Sequence, residues 1–261
     1  MDILVCVKLV SESHYTDSFQ DVPGERLSSG RLAMNPADEY ALELALRLRE
    51  SAPGSRLTVL TMAPKSAEPV LRYALAMGAD QAVHICDPCF AGSDTLVTSA
   101  VLAGAIRKWS FQGLILCGQK AIDSETGHIG PQLSVQLGLP VVTGVLSLQQ
   151  REDGLQVEQV RDEGTVTLAC PASAILAVCR GTQMVRRPTI SGLRAAHSKT
   201  IQILCHQELS IVPEMSGAAG SPTKVVKLEP IIHHHRGGIA IPDAQGGVGL
   251  LVRLLAGKGG G

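Results

Sequence analysis

The sequence has few aromatic residues and no excess of charge of one sign. Phe, Trp and Tyr make up 3% of the 261 residues, so the chain cannot offer the aromatic platform on which proteins stack single-stranded bases. The 23 Lys and Arg residues nearly balance the 24 Asp and Glu residues, and the net charge is −1. A basic surface that could grip a phosphate backbone is therefore not expected, and we expect no nucleic acid among the ligands.

Long hydrophobic runs are also missing, and the cysteine content is modest. No stretch of about 18 apolar residues occurs, so we expect no membrane insertion. Residues 1–8 lack a basic lead before a long apolar run, and they predict a first strand rather than a secretory signal. The seven cysteines are an odd number in a chain long enough to build a core without disulfides. We expect reduced thiols and a cytoplasmic location.

The composition that remains is globular, with 45% hydrophobic and 18% charged residues. Apolar runs that predict buried strands alternate with amphipathic segments that predict helices, and this alternation indicates an α/β fold with a mostly parallel, Rossmann-like sheet. Asn35 is expected to cap the first helix, and Gly78 and Gly138 to end later ones. The predicted strands are 3–9, 56–62, 81–86 and 113–117, and the predicted helices are 35–48, 66–77, 94–108 and one that ends near residue 138.

The pattern changes after Pro140. Four strand-like segments follow closely, at 141–148, 155–160, 165–169 and 174–178, with Gly154 and Gly164 at predicted turns. We expect hairpins here that extend one edge of the same sheet. The order weakens from about residue 203, and glycine-rich stretches follow. The sequence therefore predicts an α/β domain over residues 1–200 and a C-terminal arm and flexible tail over residues 201–261.

The most informative motif is the segment from Gly118 to Pro131, which follows a predicted buried strand and precedes a helix. Ligands of open α/β sheets bind at the carboxyl ends of strands, and glycines let the backbone approach a phosphate or a ring closely. Asp123 and Glu125 offer acceptors for ribose hydroxyls or for the edge of a flavin. An ordinary strand-to-helix loop with acidic helix capping is the alternative interpretation.

Hydroxyl side chains in a helical first turn add a second candidate. Thr95 and Thr98 follow Asp94, where they could help backbone amides to bind phosphate. The alternative is a plain Asp cap followed by two unrelated threonines.

Other motifs predict no chemistry. Cys86 and Cys89 form a lone CxxC with no second ligand pair, and the histidines at 233–235 have no Cys or carboxylate at a ligand spacing, so we expect no metal site. The glycines at 246–249 follow no buried strand, which disfavours a dinucleotide fingerprint. The sequence contains no hydrolase motif and no glycine-rich phosphate-binding loop with Lys followed by Ser or Thr. No catalytic side chain is expected.

An ordered set of short motifs across residues 1–230 resembles the electron-transfer flavoprotein beta subunit. Besides the segment from Gly118 to Pro131, the set comprises Leu-Val-Cys-Val-Lys at 4–8, Met-Asn-Pro-Ala-Asp-Glu at 34–39, Leu-Ala-Met-Gly-Ala-Asp at 75–80, Pro-Ala at 171–172 and Gly-Ser-Pro-Thr at 220–223. The resemblance implies an adenine-nucleotide-binding fold and a heterodimer with an alpha subunit that carries a flavin. The beta subunit of this family holds either a structural AMP or, in electron-bifurcating members, a second FAD.

The loop is more similar to the FAD type than to the AMP type. It reads Asp-Ser-Glu-Thr-Gly-His-Ile-Gly-Pro from Asp123, which keeps the acid–x–acid–Thr order and the Gly-Pro of the FAD type, but Ser124 and His128 depart from it. We expect the phosphates of the nucleotide to lie against helix N-termini and to be bound there without a Lys side chain. The resemblance implies that the nucleotide is lined by Cys6, Asn35, Met62, Thr95, Thr98, Gly118, Gln119, Lys120, Ala121, Ile122, Asp123, Ser124, Glu125, Thr126, Gly127, His128 and Ile129.

The resemblance also implies partners, and it implies that the arm and tail over residues 201–261 contact the alpha subunit. Arg186 and Ile190 match the family's docking segment for a partner dehydrogenase, although Gln183, Met184 and Val185 replace the usual Asn-Glu-Pro there. A bifurcating member would take electrons from NADH and pass them to two acceptors, one reached through the alpha flavin and the other a low-potential carrier such as ferredoxin. The alternative is an electron carrier in which this subunit binds only AMP and the alpha subunit holds the single FAD.

Overall fold

The computed structural model describes residues 1–11, 32–152, 154–181, 183–227 and 244–255. Two compact units are present, Met1–Val226 and Lys227–Gly261. Nearly all of the polar segment between the first strand and the first helix lies outside the described residues. Within the described part of the chain, no helix combines the length and the apolar character needed to cross a bilayer.

Strands and helices alternate along the first unit as the sequence predicts. The strands are β1 (Asp2–Cys6), β2 (Leu9–Ser11), β3 (Leu32–Met34), β4 (Arg56–Met62), β5 (Gln81–Ile85), β6 (Leu114–Gly118), β7 (Val141–Arg151), β8 (Gly154–Arg161), β9 (Gly164–Cys170), β10 (Ala174–Val178) and β11 (Ile201–Leu204). The helices are α1 (Pro36–Ser51), α2 (Glu68–Met77), α3 (Thr95–Lys108), α4 (Ile129–Leu137), α5 (Ile190–Ser198) and α6 (Gly217–Gly220), and α7 (Ala244–Leu255) lies in the second unit.

A nine-stranded sheet forms the centre of the first unit, in the order β11-β5-β4-β1-β6-β10-β7-β8-β9. The strands from β11 to β7 are parallel, and β8 and β9 continue the sheet as antiparallel hairpin strands. This arrangement confirms the predicted α/β class with its hairpin extension. A separate antiparallel pair joins β2 to β3.

Strand β10 differs from the expectation that the later strands extend one edge. It lies inside the sheet, parallel to both β6 and β7. All five of its residues, Ala174–Val178, are buried. A strand without a polar residue to face water is stable only with a neighbour on each side and cover on both faces, which is what this position provides.

The edge strand β11 also belongs to the sheet, although it lies beyond the predicted domain limit at residue 200. Strand β11 pairs with β5, and its last residue, Leu204, is fully buried. The first compact unit accordingly runs to Val226. Helix α5, which precedes β11, was not predicted from the sequence. That the chain beyond residue 226 contacts a partner subunit stays a prediction.

The core has two layers because alternate residues of each central strand point to opposite faces. Ile3 and Val5 of β1 pack with α1 and α2, whereas Leu4 and Cys6 pack with α3 and α4. The sequence prediction that this strand is buried on both faces is therefore confirmed. The carboxyl ends of the parallel strands lie together at one edge of the sheet.

Asp38 joins three elements at that edge. It lies in the first turn of α1 and is buried, and its Oδ2 accepts a hydrogen bond of 2.7 Å from the backbone N–H of Lys8. Its Oδ1 accepts one of 2.9 Å from the N–H of Gly118, at the end of β6. A Cβ at Gly118 would lie 2.4 Å from Asp38 Oδ1, so only glycine fits there. Burial raises the pKa of Asp38 to about 7, although the two N–H donors oppose the rise.

We predict that Asp38→Asn both destabilises the fold and changes its pH dependence. The amide leaves one of the two N–H groups without an acceptor, which costs about 1–3 kcal/mol. Since the folded pKa of about 7 exceeds the ordinary 3.8, the stability that comes from protonating Asp38 is complete below pH 3.8 and is lost as the pH rises through 7. Thermal unfolding between pH 4 and 8 measures this slope.

Asp2→Asn, on the exposed first residue of β1, is the matched control, and it should keep the wild-type slope. An Asp38→Asn protein whose melting temperature varies with pH as the wild type does would contradict the role given to this carboxyl.

Candidate functional site

The strand order reverses between β1 and β6. From β1 the chain continues to β4 and β5 on one side, and it returns to β6, β10 and β7 on the other. Such a reversal opens a crevice at the carboxyl ends of the two strands, which is where open α/β sheets bind ligands. The loop that follows β6, residues 119–128, begins at this crevice. We call it the switch loop.

Asn35 holds the switch loop against the start of α1. Its Nδ2 donates to the carbonyl of Lys120 at 3.0 Å, and its Oδ1 accepts from the N–H of Ile122 at 3.2 Å. Asn35 is the N-cap residue of α1, as predicted, but its side chain makes no capping hydrogen bond and is directed to the loop instead. Asn35 is buried, so its side chain positions the loop backbone.

Lys8 fixes the same loop from the other side. Its ammonium forms an ion pair with Asp123, with N–O distances of 2.7 and 2.6 Å to the two carboxylate oxygens. The Asp123 side chain is 17% exposed and that of Lys8 is 44% exposed, so the lysine keeps a face toward water. The sequence analysis did not identify Lys8 as a site residue and expected no Lys there. Its position beside Asp123 depends on the pairing of β1 with β6, which the sequence does not reveal.

The first turns of α3 and α4 come together beside the switch loop. Thr95 Oγ1 lies 3.3 Å from His128 Nδ1 and accepts a hydrogen bond of 3.3 Å from Gln132 Nε2. Gln132 Oε1 is buried without a hydrogen-bond partner among the described residues. A buried amide oxygen without a partner can accept a hydrogen bond from a donor group of a ligand. Gln132 is the second site residue that the sequence analysis missed.

Asp94 caps α3, as the alternative interpretation of the threonine motif held. Its Oδ1 accepts from the N–H of Val97 at 3.0 Å. Its Oδ2 accepts from the N–H of Thr223, and Ser221 Oγ accepts from the N–H of Asp94. The Thr98 side chain is half-buried and makes no hydrogen bond among the described residues. The cap and a phosphate-binding role for the threonines are compatible, because the cap uses only one of the free amides.

The switch loop turns sharply and presents polar groups. Ala121 O accepts from the N–H groups of Ser124 and Glu125, and Glu125 and Gly127 have left-handed backbones, with φ of 49° and 66°. Several of its predicted site residues are exposed, namely Ser124, Glu125, Thr126 and His128. Gln119 is directed elsewhere, because its Oε1 accepts from the N–H of Gly144 in β7. Gln119 therefore ties the loop to the sheet.

The predicted strand-end residues lie below the crevice. Cys6 is buried and lies in register with Cys117 of β6, and burial raises the pKa of the Cys6 thiol to about 12. That thiol is neutral at physiological pH and cannot act as a nucleophile. Met62, at the end of β4, packs against the same core layer. Whether either residue touches a nucleotide stays a prediction. All seven cysteines lie in the described part of the chain and are free thiols.

The two predicted docking residues contact different helices, since Arg186 pairs with α1 and Ile190 begins α5, which packs against α2. Ile190 is 75% exposed at the start of α5. Arg186 is instead paired, with Nε 2.8 Å from Glu43 Oε2 and its terminal nitrogens on Glu50. Burial alone would raise the pKa of Glu43, but hydrogen bonds from Arg186 and Arg47 lower it below its ordinary value. Arg186 thus fastens residues 183–189 to α1, and its docking role stays a prediction.

The sequence of this chain is similar to those of proteins of a known family. The family model "Electron transfer flavoprotein domain" matches residues 28–206. An electron transfer flavoprotein subunit beta from Thermoanaerobacterium thermosaccharolyticum is 37% identical over 228 residues, which cover 87% of this chain and 86% of that protein.

Two further relatives carry different names. The caffeyl-CoA reductase-Etf complex subunit CarD of Acetobacterium woodii is 33% identical, with 87% of each chain covered. Protein FixA of Bradyrhizobium diazoefficiens is 35% identical, covering 87% of this chain and 82% of its own length. The family match spans well over half of the chain, and the relatives align over nearly all of it. The chain therefore belongs to the electron transfer flavoprotein family, as one of its beta subunits.

Proposed function

We propose that this chain is the beta subunit of a heterodimeric electron-transfer flavoprotein and that it binds FAD in the crevice between β1 and β6. The observation that carries the proposal is the switch loop, which Asn35 and the Lys8–Asp123 ion pair hold at the point where the strand order reverses. The protein supplies position and electrostatics to such a cofactor, and no nucleophilic side chain is required.

The residues around the crevice suit a nucleotide with phosphates. The N-termini of α3 and α4 meet through Thr95, His128 and Gln132, and helix N-termini offer unpaired N–H groups and a partial positive charge to an anion. The half-exposed Lys8 ammonium lies at the same edge, where its ion pair with Asp123 offsets much of its positive charge. The unpartnered oxygen of Gln132 accepts from a ribose hydroxyl or a ring N–H.

FAD is favoured over AMP by two features of the sequence. The switch loop keeps the acid–x–acid–Thr order of the FAD type, and Gly130-Pro131 just beyond it matches the Gly-Pro of that type. The segment from Asp94 to Thr98 resembles an Asp-Thr-x-x-Thr motif found in FAD-type members and not in the AMP type. A bound FAD would supply hydride and one-electron chemistry. On this proposal NADH is the electron donor, and the electrons divide between the alpha flavin and a low-potential acceptor such as ferredoxin.

Relatives in reductase complexes fit such a role. CarD is named as a subunit of a caffeyl-CoA reductase-Etf complex, and another relative, from Anaerotignum propionicum, is an acryloyl-CoA reductase electron transfer subunit gamma. The second unit of this chain offers a surface for the alpha subunit, since Val248, Leu251 and Val252 of α7 are all more than half exposed. An AMP-binding carrier with its single FAD in the alpha subunit is the alternative that the experiments must separate.

The cofactor count of the purified heterodimer tests the proposal most directly. We expect two FAD molecules per heterodimer, measured after denaturation by chromatography of the released nucleotides. The variants Thr95→Val and Thr98→Val should each lower the FAD content, because they remove hydroxyls from the first turn of α3. One FAD and one AMP, with occupancy unchanged in both variants, would establish the AMP-type carrier instead.

Removing the carboxylate of Asp123 should weaken nucleotide binding. A hydrogen bond to a charged group contributes about 1.5–3 kcal/mol, so we expect Asp123→Ala to raise the Kd by roughly tenfold or more. The reason is that the switch loop loses its attachment to Lys8. Glu163→Ala, at an exposed turn between β8 and β9, is the control. Equal nucleotide occupancy in the two variants would exclude the switch loop as the binding element.

The docking role of Ile190 gives a separate test. Ile190→Ser should raise the KM for electron transfer with the partner dehydrogenase severalfold and leave the nucleotide content unchanged, because the residue is 75% exposed and lies away from the switch loop. Ile203→Ser, on an exposed position of β11, is the matched control. If both variants behave as the wild type does, the docking surface lies elsewhere.

A further inference from the structure

A second cluster of chemically reactive side chains lies at the carboxyl ends of β5 and β11, the two outermost parallel strands on that side of β1. Asp87, Cys89 and His206 are half-buried there, and one ligand atom from each lies within 4.8 Å of the other two. The CxxC motif, for which the sequence analysis expected no metal site, contributes Cys89. His206 comes from a segment 119 residues beyond Asp87 along the chain. Among the described residues, Asp87, Cys89 and His206 form no hydrogen bond with the switch loop.

The pairing of β5 with β11 assembles the cluster. The strands are parallel and in register, with Ile85 opposite Leu204, and the N–H of Cys86 continues the ladder to Leu204 O at 2.9 Å. The next residues along each strand end therefore meet. His206 Nδ1 lies 2.7 Å from Asp87 Oδ2, and its backbone N–H donates to the same oxygen at 3.2 Å.

A short turn brings in the sulfur. Residues Pro88–Phe90 form one 3-10 turn, and the N–H of Cys89 donates to Asp87 Oδ1 at 3.0 Å. The Ser216 hydroxyl donates to Cys89 O, and a Cβ at Gly217 would lie 2.2 Å from that same oxygen, so the segment around α6 packs closely on this turn. The cluster is thus held from three directions, by β5, by β11 and by the chain that leads to the second unit.

We infer that Asp87, Cys89 and His206 form a binding site for Zn²⁺, with a water molecule as the fourth ligand. Thiolate sulfur, imidazole nitrogen and carboxylate oxygen are the three ligand types that zinc takes in proteins. A tetrahedral ion with bonds of about 2.0–2.3 Å keeps its ligand atoms roughly 3.3–3.8 Å apart, so small side-chain rotations within the present cluster would complete it.

Binding rearranges protons and leaves the backbone contacts in place. The ion binds Nδ1 of the neutral His206 ring, whose proton moves to Nε2, and the Cys89 thiol releases its proton to water to become the thiolate ligand. The backbone N–H groups of Cys89 and His206 still reach Asp87, so a carboxylate that binds the ion keeps its orientation. The site would join two chain segments 119 residues apart and brace the edge of the sheet.

Metal content is the first test. The full chain, purified with its alpha subunit, is stripped with a chelator and dialysed against ZnCl2, and zinc is counted by mass spectrometry. We expect the wild type to hold one more Zn²⁺ per heterodimer than Cys89→Ser or His206→Ala. The Co²⁺-substituted protein should show the visible d–d bands of a tetrahedral site, and both variants should lose them. Cys86→Ser and Cys179→Ser, two other half-buried thiols, are controls that should keep the metal.

Thermal stability separates a metal site from a cluster that only forms hydrogen bonds. With zinc bound, a chelator should lower the melting temperature of the wild type and leave that of Cys89→Ser unchanged. Equal zinc content in the wild type, Cys89→Ser and His206→Ala would overturn the inference, as would a melting temperature that the chelator does not alter. Loss of zinc in Cys86→Ser but not in Cys89→Ser would overturn the assignment of the ligands.

Discussion

The carboxylate of Asp38 is the contact on which the crevice depends. It accepts one backbone N–H from the end of β1 and one from the end of β6, so a single side chain from α1 joins the two strands between which the order reverses. Both donors leave their strands at this point and would otherwise lack a partner in a dry environment, where an unmade hydrogen bond is costly. Gly118 is required because any Cβ would occupy the position of that carboxylate. The switch loop therefore begins from a fixed position.

Helix α1 connects this crevice to residues 183–189, which contain the predicted docking residue Arg186. Asn35 and Asp38 at its start hold the switch loop, and Glu43 and Glu50 further along hold Arg186. At about 1.5 Å per residue, the helix spans roughly 22 Å between Asn35 and Glu50. A rigid element of this kind keeps the switch loop and residues 183–189 at a constant separation.

Much of the architecture was predictable from the sequence. Strand β4 and strand β10 were predicted with their observed limits, and Gly78 and Gly138 end α2 and α4 with positive φ values of 128° and 67°. These successes rest on local signals, namely apolar runs that fill a buried strand and glycines that adopt a backbone other residues avoid. The switch loop was also identified, because its glycines and acids follow a buried strand directly.

The order of the strands in the sheet is seen only in the tertiary structure. The sequence shows that residues 174–178 form a strand, but not that this strand inserts between β6 and β7. For the same reason it could not show that Lys8 meets Asp123, that Gln132 meets Thr95, or that His206 meets Asp87. Local propensity and periodicity act over a few residues, whereas these contacts join positions 37–119 residues apart. The sequence by itself determined the elements and the family, and the packing of those elements determined which side chains share a site.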